Sequence, residues 1–131
     1  MNLIRAVSLV CLLCFSFNAK ADFKDWKKTD KILFGTYVGL NVVDVGQTFD
    51  LINCQQTNPN CRYVEKNPII GKSPSKEKLI LYKTLATGVV YYALEKTPDK
   101  NKTATLLIIN GLMLGTVLNN HNIGLSFTLR F

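Results

Sequence analysis

Apolar residues in this chain fall into long, nearly unbroken runs, and charged residues cluster in the short segments between them. The first run, Ala6 to Phe17, follows Arg5 and precedes Ala19-Lys20-Ala21, the small-x-small form of a secretory cleavage site. Residues 1–21 therefore read as a signal peptide cut after Ala21, with an uncleaved anchor helix as the alternative. Cys11 follows Val10 and Cys14 follows Leu13, so neither has the small residue of a lipid-attachment site before it. The second run, Ile32 to Ile52, has 21 residues, enough to cross a hydrocarbon core of about 30 Å as a helix. Within it Asn41, Asp44 and Thr48 recur at helical spacing with Gln47 adjoining, which draws one polar stripe on an otherwise apolar surface.

Two further runs, Leu79 to Leu94 and Thr103 to Leu118, predict helices of 16 strongly apolar residues each, short for a span unless flanking residues complete it. Lys83 lies near the start of the former and is expected to snorkel to the surface; Tyr91 and Tyr92 sit toward its other end, as interface aromatics do. Gly35 and Gly39, and again Gly111 and Gly115, form G-x-x-x-G pairs that let helix backbones approach. They make self-association into a homo-oligomer an expectation. Between the runs, residues 22–31 are a charged amphipathic lead-in carrying Phe23 and Trp26. Residues 53–78 are a turn-rich loop dense in Asn, Pro, Gly and Lys, closed by Ser73-Pro74 as a helix start, and Glu95 to Lys102 is a polar turn.

The end of the chain follows a different period. Ile123, Leu125, Phe127, Leu129 and Phe131 alternate with Gly124, Ser126, Thr128 and Arg130, the pattern of a strand with one apolar face. It resembles the closing strand of an outer-membrane barrel. A barrel, however, needs about eight alternating strands, and neither the second nor the fourth apolar run alternates. The predicted fold class is therefore all-α. A signal peptide is followed by a small transmembrane bundle of about three helices over residues 32–122, and residues 123–131 add a short β-like tail. A small β-barrel is the alternative.

Charge refines the setting. The chain carries +7, and removing residues 1–21 leaves 14 basic and 9 acidic residues, with the basic ones spread over the connecting segments. That distribution suits an anionic bilayer surface, so the lipid bilayer is the expected partner. Nucleic acid is not expected, because no contiguous basic face with interleaved aromatics is present. Cys54 and Cys61 are spaced to close a small disulfide ring in an oxidising compartment. A cleaved signal and one crossing by Ile32 to Ile52 would instead place them in the cytoplasm and keep them reduced. Either that helix does not cross, or the cysteines are free, or the N-terminal segment is not an ordinary signal. Two cysteines with one distant histidine make no zinc set, and no metal or cofactor is expected.

Asp44 is the first candidate for chemistry, since an ionisable group inside an apolar helix is costly and often functional. Gln47 and Thr48 are placed to hydrogen-bond it. The plainer reading is a polar clasp between helices. His121, the only histidine, follows the third helix, where Asn119 and Asn120 are expected to cap the carbonyls. An Asp44–His121 pair would be an acid/base unit, yet no nucleophile is marked, and catalysis is the less favoured reading. Glu65, Asn67 and Lys72, with Lys66 and Lys76, make a headgroup or partner site the functional reading of the loop; a structured connector is the other. Asn122 joins the candidate binding residues.

The blocks D-x-x-Q-T (Asp44, Gln47, Thr48), E-K-N-P-x-x-G-K-x-P-S (Glu65 to Ser75) and H-N-x-x-G (His121, Asn122, Gly124) stand in that order ahead of an aromatic-ended tail. In this the chain resembles small uncharacterised exported membrane proteins of bacterial genomes and their prophages, from which the Cys54/Cys61 segment departs. The resemblance implies a small exported or membrane protein of unknown activity and supplies no reaction. Taken with the runs above, the expected place is the bacterial envelope, in the inner membrane with the outer membrane as alternative, and the expected role is binding or assembly, or a phage-related one.

Overall fold

The computed structural model describes residues 23–127, and the expected signal peptide lies outside them. A 3-10 turn at Phe23–Asp25 leads into three helices: α1, Lys28–Thr57; α2, Lys76–Lys96; and α3, Asp99–Asn122. The described chain is all-helical apart from its turns and the loop at residues 58–75, and contains no strand. At about 1.5 Å rise per residue, α1 is roughly 45 Å long. It is the spine of the molecule: α3 packs along it and α2 meets it over a shorter contact.

The helix ends differ from the expected ones for local reasons. α1 takes in the end of the lead-in, because Asp30 in its first turn favours the helix N-terminus and accepts a 2.5 Å hydrogen bond from the Thr103 hydroxyl. α2 starts two residues later than Ser73-Pro74 predicts. Ser75 is the N-cap, accepting from the Lys78 amide at 3.2 Å, and Pro74 and Leu79 are both buried in the positions of a hydrophobic staple. The polar turn expected over Glu95 to Lys102 shrinks to Thr97 and Pro98, since α3 is already helical from Asp99.

Two apolar clusters lie at opposite ends of α1. Phe49, Leu51 and Ile52 pack with Ile70 of the loop, Leu79 of α2 and Leu125 of the tail. At the other end Trp26, Leu94 and Leu106 are buried, with Phe34 and Tyr91 packed against them. Trp26 and Tyr91 stack at 5.8 Å, and Phe34 meets Trp26 edge-on at 5.7 Å. Trp26 and Tyr91 are thus joined inside one aromatic cluster, where the sequence places them at a membrane interface.

Between these clusters the polarity is inverted. Asn41, Asp44, Gln47, Thr48 and Asn110 are buried, while Val42, Leu85, Val89, Leu107, Ile108, Leu112 and Leu118 face outward. The predicted polar stripe of α1 is real and points into the molecule. Among the described residues only α3 is long and apolar enough, as a whole helix, to cross a membrane; the buried stripe lowers the mean hydropathy of α1. The Gly35, Gly39, Gly111 and Gly115 positions are open, with nothing within 4 Å of where a Cβ would stand. Among the described residues no other helix closes on either G-x-x-x-G pair.

The expected β-like tail is corrected over its described part, residues 123–127; residues 128–131 lie outside the description. α3 ends in a Schellman motif: Gly124 takes φ +97, its amide donates to the His121 carbonyl at 2.9 Å, and the Leu125 amide donates to the Asn120 carbonyl at 3.0 Å. This glycine closure performs the capping expected of the Asn119 and Asn120 side chains. It also turns the chain back toward α1, so that Leu125 is buried while Ile123 stays half-exposed. The Ser126 amide and hydroxyl both donate to Asp50, at 2.9 and 3.1 Å. Of the alternating apolar residues described here only Leu125 is buried, and the barrel alternative has no strand among the described residues to stand on.

Candidate functional site

Each helix sends one polar side chain to the same buried point. Asp44 of α1 is 5% exposed; Lys83 of α2 places its ammonium 2.5 Å from one carboxylate oxygen, and the Asn120 amide of α3 donates to the other at 2.9 Å. Both oxygens of a charge that is expensive to desolvate are therefore met, which is the condition for keeping it in an apolar setting. Neighbouring polar residues on α1 serve the helix pair. Gln47 donates to the Val117 carbonyl at 3.1 Å, and Asn110 of α3 donates to the Leu33 carbonyl at 2.9 Å. Thr48 donates to the Asp44 backbone carbonyl one turn back, and Asn41 does the same to Tyr37. The Gln47 and Asn110 side-chain oxygens are buried without a partner.

Beside this junction lies a cavity of about 410 Å³, walled by the three helices and the loop. The loop holds its shape through its own polar groups. The Asn67 amide donates to Glu65 at 2.9 Å, the Ile69 amide donates to the Asn67 side chain at 3.1 Å, and the Asn67 amide group donates to the Tyr82 hydroxyl at 3.3 Å. Gly71, at φ +90, lets the chain fold back so that the Glu65 amide reaches the Lys72 carbonyl. Cys54 and Cys61 stand at disulfide distance, Cα to Cα 5.7 Å, and tie the last turn of α1 to this loop. Gln55 fastens it further by donating to the Tyr63 and Lys72 carbonyls.

Of the residues singled out in the sequence as a candidate site, Asp44, Thr48, Glu65, Lys66 and Asn67 meet at the cavity. Gln47 lies against the α3 backbone instead. Lys72 contributes only its carbonyl, and its side chain is exposed. His121 and Asn122, in the last turn of α3, are exposed as well. The Asp44–His121 pairing is not formed: Asp44 is held by Lys83 and Asn120, and the imidazole sits outside the cavity. Lys83 does not snorkel, because Asp44 offers it a buried partner, with its side chain 18% exposed. Lys83 and Asn120 are the site residues that sequence reasoning missed. The signal was present, since the one charge in the Leu79 to Leu94 run and the one charge deep in the Ile32 to Ile52 run are opposite in sign.

Among the described residues no three His, Cys, Asp or Glu side chains gather as a metal site would require. Comparison with protein-family models, with curated proteins and with solved structures gives no match for this chain.

Proposed function

We propose that this is a small integral membrane protein of the bacterial cell envelope, seated in the inner membrane, that acts by binding or assembly and performs no catalysis. The observation that carries the reading is the inverted polarity. Among the described residues seven polar or charged ones are buried, including Asp44, the partner of Lys83, while large apolar side chains up to 68% exposed run along the outer faces of all three helices. In water such a surface is an aggregation hazard; in lipid it is the ordinary outer face of a bundle whose helices are joined by interhelical hydrogen bonds. The cavity at the Asp44–Lys83 junction supports a binding role, and the open G-x-x-x-G positions support assembly. The resemblance to prophage-borne exported proteins agrees with an envelope role.

Alkaline carbonate extraction of membranes from cells expressing the full chain tests this reading. The protein is expected to stay in the pellet and to leave it only with detergent. Release by carbonate alone would mean that the apolar faces are covered by a soluble partner.

A further inference from the structure

The cavity carries charges of both signs in equal number: Asp44 and Lys83 at the buried junction, Glu65 and Lys66 on the loop. These charges are only partly used. Among the described residues Lys83 meets Asp44 alone, leaving two ammonium N–H donors free. Glu65 accepts from the Asn67 amide with one oxygen and has no partner for the other, and Lys66 is exposed at the mouth. Apolar Met113 and the half-exposed Ile123 continue the wall toward the outside of the bundle. A lining of zero net charge gives no advantage to a simple anion or cation. Its unused ammonium donors and its unused carboxylate oxygen together fit a ligand that carries both signs.

We infer that the cavity binds a zwitterionic headgroup of the phosphoethanolamine type, its phosphate oxygens toward Lys83 and Lys66 and its ammonium toward Glu65. The volume lies within the range of about 300–1,000 Å³ common to small-molecule sites. A membrane lipid as the source rests on the membrane reading above. The headgroup chemistry does not, because a soluble glycerophosphodiester presents the same groups.

The test uses the full-length protein in a maltoside detergent, titrated with dioctanoyl phosphatidylethanolamine, dioctanoyl phosphatidylglycerol and soluble glycerophosphoethanolamine, with thermal stability as the readout. Both ethanolamine compounds are expected to raise the melting temperature, and the glycerol lipid to need a concentration about tenfold higher, the loss of one charge-assisted hydrogen bond. Glu65→Gln keeps an acceptor for the Asn67 amide. It should weaken the ethanolamine response about tenfold and leave the glycerol response unchanged. Equal responses to the two lipids, or none to either, would overturn the proposal. Stabilisation by glycerophosphoethanolamine in a protein that carbonate releases from membranes would uphold the site and sink the membrane reading. A carbonate-resistant protein indifferent to headgroup would do the reverse.

Discussion

Asp44 shows what a single buried charge demands of its neighbours. Its carboxylate is matched by Lys83 on one oxygen and Asn120 on the other. Removing only one member of a buried pair leaves the other unpaired, at a cost of about 3–5 kcal/mol, whereas removing both is often nearly neutral. Thermal unfolding in detergent should therefore show Asp44→Asn and Lys83→Met each strongly destabilised, with the double variant recovering most of the loss. Additive losses would mean that the two side chains do not share one interaction. Gly46 offers a second test at this scale. A Cβ there would stand 2.4 Å from the ring of Phe127. Alanine in mid-helix is ordinarily better than glycine by about 1 kcal/mol, so Gly46→Ala should stabilise a Phe127→Ala protein and destabilise or merely leave unchanged the native one. The same gain in both backgrounds would show that Phe127 does not dock on α1.

Among the elements, α2 depends most on its ends, since it shares the shorter contact with α1. The Glu77 carboxyl, in its first turn, is held below the ordinary carboxylate value by its own backbone amide, then by the Ser75 hydroxyl. A carboxyl whose pKa is lowered on folding stabilises the protein above its ordinary unfolded value, and that contribution fades as pH falls through the lower folded value. Stability measured across this acid range should decline less steeply in Glu77→Gln than in the native chain; parallel curves would remove Glu77 from the capping of α2. The existence and order of the helices were legible in the sequence because the apolar runs are long and the stripe Asn41–Asp44–Thr48 keeps one helical face. The ends were not, for a physical reason. Charged residues such as Asp30, Lys102 and Asp99 read as linker, yet they lie within helices, where Asp30 is buried against Thr103 of α3, and Lys102 against Asp99 one turn back on its own helix and the distant Trp26 ring. The tail misled for a related reason. Alternation of Ile123, Leu125 and Phe127 looks the same whether the neighbour is a strand or a helix, and the Schellman turn at Gly124 chooses the helix.

For the whole molecule, the distribution of polarity is the feature that connects sequence to function. Single runs suggested membrane helices, but what binds them together, Lys83 and Asn120 closing on Asp44, required three distant segments to be brought to one point. The candidate cavity inherits that architecture, with its buried charges supplied by the helices and its outer wall by the loop that Cys54 and Cys61 tie down. A membrane-embedded bundle requires the outer apolar faces to meet lipid. Trp26, the only tryptophan, has an indole N–H with no partner, so Trp26→Phe forfeits no hydrogen bond and gives a dark background. In that background Leu112→Trp places a reporter on α3 where the native side chain is 68% exposed. The measurement is its fluorescence in liposomes of brominated lipid: strong quenching by bromine on the acyl chains and protection from aqueous acrylamide is the predicted result. Ready quenching by acrylamide with indifference to the brominated chains would contradict a membrane-embedded bundle.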